Sequence, residues 1–514
     1  MWLTFALAVC LGVVVLYAPG YLVGRAVSFE RFASVAVAPA FSVVALVILG
    51  VILNAAHVRC DRWMLLLACA ALCLLIYGAC RVLRGLRGVD GRTHLTRNAV
   101  DSEWILVALY VGVAAAVSLV VFVHAMGDPV SFSRNDDTTV HLSVVRGFLD
   151  SGTFSTLNVT KYLDLGESGG YYPAAWHVVT AVVASLVGNQ VALATNAMIL
   201  VVCVFVLPVG LLFLLRQLFP DNKLALYAGS LFSAAFCGYP WGFVVFGQLL
   251  SNLLSFALIP GALGLLISSL NASGPSKSGF AVAYACSMIS VALAQPNGAF
   301  TLGIWSVAFA VSHLWSKRSD GYWSGKRTAI ILCFIACAAW VLLFAAPPLQ
   351  GVVTYSWKPT LSIPKAIVAG LLFMFTNREG VQPFLTVLVL LGVAKTLKDR
   401  RLRWLSVSYI AAFSFYVIDV ATDGFVKQLL TGFWYTDYYR TGAMTALFAV
   451  PLAALGFAWL VKLGASLLEK MHLGRQGGVA ALVRWPWFWW CCWRFVSLRL
   501  CVLHLVKLMF DLAL

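Results

Sequence analysis

Between residues 2 and 461 the chain is cut into thirteen apolar runs separated by short polar stretches, and no other feature restricts its fold so tightly. A hydrocarbon core about 30 Å thick takes roughly 20 apolar residues of helix to cross. Inside it every backbone polar group has to be satisfied by the element itself, which leaves helices or closed barrels. A barrel would show short alternating strands. Runs such as FSVVALVILGVIL (41–53) do not alternate. Of 514 residues, 61% are hydrophobic and 11% are charged, whereas soluble domains carry about 25% charge. The expectation is an all-α polytopic membrane protein of about 13 transmembrane helices, with outer juxtamembrane helices.

Lysine and arginine give the orientation, because cytoplasmic loops collect them. They gather in 81–103, 316–327 and 395–403, which are expected inside. With runs at 104–125, 192–215, 380–394 and 442–461 all crossing, the N-terminus is outside and the C-terminus inside. On that count 26 of the 36 basic residues are cytoplasmic. The same count makes 173–188 and 364–376 juxtamembrane or re-entrant helices, since a crossing there would invert every later basic loop. The net charge of +16 thus reports topology. It has no basic stripe with interleaved aromatics, and no nucleic-acid partner is expected. The run Met1 to Gly24 has no basic segment before it and is read as a retained helix. The 13 cysteines lie mostly in apolar runs or the tail, without metal spacing, and read as small apolar residues. The organisation is three N-terminal helices in 1–103, a core in 104–461 with an outer loop at 126–172, and a cytoplasmic Trp/Arg-rich amphipathic tail in 462–514 that faces membrane lipids.

Polar chemistry is confined to a few outer segments. In SRNDDTTVHLSVVRGFLDSG (133–152), Asn135 is placed to cap a helix beginning at Asp136. Asp137 and His141 then stand i and i+4, a carboxylate and an imidazole on the wet side of an amphipathic helix, with Leu142, Val145 and Leu149 on another face. Asp136 suits either the helix N-terminal charge or an active site. GYYPAAWH (170–177) offers Tyr172 and His177. GYPWGFVVFGQLLSN (238–252) breaks its helix at Pro240 and Gly242 and offers Trp241, Gln248 and Asn252. AQPNGAF (294–300) offers Gln295 and Asn297. GFWYTDYYRTG (432–442) offers Tyr435 and a lone outer cation, Arg440. A guanidinium holds phosphate bidentately. Lys358, Lys365 and Arg378 are further outer cations. Each has a plain alternative: a dipole-balancing acid, an aromatic belt, a polar turn, a snorkelling anchor. Together, acids and cations at one interface match a lipid-borne phosphate and a base for an acceptor hydroxyl.

The order of elements resembles the GT-C superfamily of integral-membrane glycosyltransferases: a span (104–125), a long outer loop with an acidic motif (Asp136-Asp137, His141), a Tyr-Pro interfacial helix ending in Gly (YYPAAWHVVTAVVASLVG), and a span ending at a basic turn (Arg216). The stretches DDTTVH, YYPAAWH, YPWGFVVFGQ and WYTDYYR are similar to an uncharacterised actinobacterial family of multi-pass proteins grouped with it. The resemblance implies a GT-C-like bundle, a polyprenyl-phosphate sugar donor, and an outer-loop Asp as base, Asp137 first and Asp136 second. It implies no cofactor; a divalent ion on Asp136, Asp137 and His141 stays an option. The three helices ahead of the core and the lack of a sizeable soluble C-terminal domain depart from the superfamily. The expected function is glycosyl transfer at the outer face of the cytoplasmic membrane, onto a glycan or lipid acceptor of the cell envelope. A transporter or flippase of a lipid-linked intermediate and a non-catalytic scaffold are the alternatives.

Overall fold

The computed structural model describes residues 1–60, 62–87, 103–133, 136–163, 171–272, 275–316, 322–375 and 380–470. Asn135, Arg378 and the tail beyond residue 470 lie outside the described residues. All regular elements among the described residues are helical. Twelve of the helices are long and apolar enough to cross a membrane. The chain is a multi-pass membrane protein.

The expected count of thirteen meets one qualification. The run at 380–394 forms Pro383–Lys398, of 16 residues, which at 1.5 Å per residue spans about 24 Å. It falls short of a full crossing by length, yet it lies against the Tyr438–Lys470 helix. A Cβ on Gly392 would come within 2.1 Å of Leu452 O, and one on Gly456 within 2.0 Å of Leu388 O. Small residues let helix backbones approach this closely in membranes. The segments expected not to cross are short helices, Ala175–Leu186 and Ile363–Leu371.

The chain divides into two compact units. Among the described residues, one holds Met1–Gln217 and Phe243–Leu302; the other holds Leu218–Gly242 and the described residues from Gly303 to Lys470. In the first, Trp2–Ala26 packs on Arg31–Ala55. Gly20 sits where a Cβ would meet Ala38 O at 1.9 Å, and its N–H donates to Ser42 Oγ at 2.8 Å. These N-terminal helices therefore share a unit with residues 103–217. Ala175–Leu186 runs through its interior, with all but one of its 12 residues buried. In the second unit the long Tyr438–Lys470 helix is the centre, with the Trp305 ring tilted against Phe448 at 4.0 Å between ring centroids.

Candidate functional site

Asp136–Ser151 is a helix of 16 residues outside the spans. It ends at Gly152, whose φ of +64° is open to glycine at no steric cost. Thr138, His141, Val144, Val145 and Phe148 are buried, the three-and-four spacing of an inward stripe. Asp137 is exposed. The side chain of Asp136 lies outside what is described.

This corrects the wet-side pairing expected of Asp137 and His141. His141 is 6% exposed, and His177 is fully buried. His141 Nδ1 and His177 Nε2 share a hydrogen bond of 2.7 Å. The Tyr172 ring stands edge-on to His177 at 5.6 Å. Of the expected apolar face only Val145 is buried; Leu142 and Leu149 are half-buried. The core side is one residue round the helix from the expected one, because His141 joins it. Burial pushes the His141 imidazole down to about 4, against a hydrogen bond with the Gln248 main chain that raises it. Burial also holds His177 well below its ordinary value, with His141 adding to the effect. The pair is neutral at pH 7, one ring donating and the other accepting.

The third wall comes from 243–252. Helix Gly242–Val245 stops and Leu250–Asn271 begins. Between them Gly247 (φ +62°) and Gln248 (φ +52°) take left-handed conformations in succession. The positive φ favours glycine at 247, and a Cβ there would stand 2.7 Å from Asp137 Oδ2, so the carboxylate would have to move. Gln248, a non-glycine in that region, is the kind of strained residue that functional sites hold. Asn252 Nδ2 donates to Asn297 Oδ1 at 2.6 Å, and Gln295 O accepts from Ser255 Oγ at 3.1 Å. Thr138 Oγ1, Thr180 Oγ1, Gln248 Oε1, Ser251 Oγ and Asn297 Nδ2 are buried without a hydrogen-bond partner among the described residues. Such groups cost about 1–3 kcal/mol each when left unmet. Thr138 and Thr180 are on the helices that carry Asp137, His141 and His177, and with Gln248 and Ser251 of the 243–252 segment they offer hydrogen-bonding capacity to a polar ligand. Among the described residues no three acid, histidine or cysteine side chains gather as a metal would need.

The second unit holds a separate charged cluster. Arg440 is not the lone cation expected: its Nη1 donates to Asp437 Oδ2 at 2.8 Å, and its guanidinium lies 4.7 Å from the Tyr435 ring centre. Asp437 Oδ1 also accepts from Tyr439 N at 2.9 Å, capping the last span. Trp241 is buried, and its N–H donates to Ala234 O at 2.9 Å; its one polar group is used within the fold. Lys358 and Lys365 are exposed.

Sequence reasoning missed Lys427 and Asp437 and treated Asp419 only as a span-end acid. All three are buried. Lys427 Nζ donates to Trp357 O at 2.6 Å and Asp419 O at 2.7 Å. Burial pulls Lys427 below the ordinary lysine range, against Asp419, Asp423 and Asp437, which hold it up. The Asp419 carboxylate accepts from Thr431 and, at 2.8 Å, from Thr441. The available signal was a single Lys in TDGFVKQLLTGFW, between an acid at a span end and an acid at a helix start.

The chain belongs to DUF6541, a family of unknown function, whose model matches residues 13–506. No curated protein matches the chain, and no solved structure matches it.

Proposed function

We propose that this member of DUF6541 is a membrane glycosyltransferase, using a polyprenyl-phosphate-linked sugar at the outer face of the cytoplasmic membrane to build a cell-envelope glycan or glycolipid. The observation that carries this is Asp137: an exposed carboxylate on a short helix outside the spans, with bare Gly247 backbone against it. The acceptor O–H bond breaks and its proton goes to Asp137. A new bond forms from that oxygen to the sugar C1. The bond from C1 to the phosphate oxygen breaks, and polyprenyl phosphate leaves with its electron pair. The neutral His141–His177 pair sets no competing positive charge behind the carboxylate. The proposed orientation has the N-terminus outside and the C-terminus inside, and it requires Pro383–Lys398 to cross.

A lipid-intermediate flippase is the alternative. Asp419, buried two residues before its span ends at Ala421, is the observation that favours it, since membrane-embedded carboxylates mark transport paths. The two separate in proteoliposomes of the full chain with radiolabelled polyprenyl-phosphate hexoses and pentoses and extracted envelope acceptors. Release of polyprenyl phosphate with label in the acceptor supports transfer. Movement of intact donor between leaflets supports the flippase, and neither outcome leaves the scaffold.

A further inference from the structure

The Asp136–Ser151 helix has a second face that the proposed chemistry does not use. Ser143, Arg146 and Asp150 recur along it at three- and four-residue spacing, roughly opposite the buried stripe of His141, Val145 and Phe148, and Ser151 flanks them. With Tyr162 and Asn189 they line an open, shallow cleft of about 740 Å³. All of it belongs to the first unit.

Its wall is built. Gly147 admits the Tyr162 ring against the helix backbone, since a Cβ there would stand 2.4 Å from the ring. The Tyr162 hydroxyl shares a hydrogen bond with Ser151 Oγ at 2.8 Å, and the ring meets Phe148 edge-on at 5.7 Å. Asn189 stands opposite in a left-handed turn (φ +61°), two residues before the Val191–Leu218 span. Arg146 Nε donates to Asp150 Oδ2 at 2.9 Å, with both side chains about 60% exposed. That bond uses one guanidinium donor and one carboxylate oxygen. Their charges cancel, so the cleft has no net charge to recruit an ion. Its lining exposes polar and apolar surface in comparable amounts, the mix that a sugar presents in its hydroxyls and C–H faces. What remains is a ligand dense in hydroxyls, with a C–H face for the Tyr162 ring.

We propose that this cleft binds an uncharged oligosaccharide. The inference is independent of the transfer reading: the same site would serve an enzyme, a flippase or a scaffold that touches envelope glycan.

The test uses the full chain in lipid nanodiscs without any donor, so a failure of glycosyl transfer does not bear on it. Saturation-transfer NMR is recorded with mannopentaose, maltopentaose, arabinopentaose and galactopentaose, and with pentagalacturonate as the anionic control. At least one neutral sugar is expected to give signal. Ser143→Trp, at an exposed position, fills the cleft and is expected to abolish it. Asp150→Ala with Arg146→Ala removes two charge-bearing partners and is expected to weaken binding by about tenfold or more. No signal from any neutral sugar, undiminished signal in Ser143→Trp, or tighter binding of pentagalacturonate overturns the proposal.

Discussion

His141 Nδ1 and His177 Nε2 face each other at 2.7 Å, in rings that belong to helices 36 residues apart in sequence, and both are buried. Neither ring can take a second proton without setting a charge in the interior against its partner. With folded values below the ordinary histidine value, the unfolded chain binds more protons than the folded one below about pH 6.5. Stability is therefore fully present above that pH and falls as the pH drops toward 4. His141 alone costs on the order of 2 kcal/mol by about pH 5. The thermal midpoint in nanodiscs should fall between pH 7.5 and 5, and His141→Gln with His177→Gln should flatten that dependence. A wild-type midpoint constant over this range would refute the neutral pair.

Gly247 meets Asp137 Oδ2 where a side chain would start, whereas Gly188, also at positive φ (+77°), has open space around it. Gly188→Ala should cost only the left-handed penalty, about 1–2 kcal/mol. Gly247→Ala should cost more, and the excess should vanish in a chain that also carries Asp137→Ala. Thermal melts of the four variants measure this directly. Equal losses at both glycines would mean that Asp137 is not held against the turn.

Arg440 partners a carboxylate that is only 1% exposed. Arg440→Met should destabilise by on the order of 3 kcal/mol, because it takes the guanidinium from the buried Asp437 carboxylate. Asp437→Asn in the same chain should restore most of the loss, since Asn still caps the helix. A membrane anchor would show no such rescue.

The orientation rests on Pro383–Lys398. In a chain without its native cysteines, single cysteines at exposed Lys161, Lys358 and Val381 should react with an impermeant thiol reagent on intact cells. One at exposed Lys398 should not. Labelling at Lys398 would put both ends of this helix on one side and invert everything after it, Arg440 included.

The spans were legible because a bilayer demands a run length that local sequence displays, as in 41–53. The 380–394 run was legible as apolar but not as short: Pro383 and Lys398 bound a 16-residue helix, and its partner is the last span. The helix beginning at Asp136 was equally readable, since the signals that start a helix are local. The inward turn of His141 was not, because it is decided by His177 across the fold, and i,i+4 spacing shows which residues share a face without showing which way the face points. Lys427 was hidden for a related reason. A lysine in an outer loop is ordinarily solvated, and only the carbonyls of Trp357 and Asp419 around it make burial tolerable.

The central claim is that Asp137 takes the acceptor proton, and the transfer rate of Asp137→Asn tests it most directly. Asparagine keeps the shape of the side chain and removes its basic charge, and a melt beside wild type fixes the amount of folded protein that is compared. With equal amounts of folded protein and a saturating radiolabelled polyprenyl-phosphate sugar that the wild type consumes, transfer should fall by about 100- to 10,000-fold, the contribution of a general base. Transfer at the wild-type rate by Asp137→Asn would contradict the account.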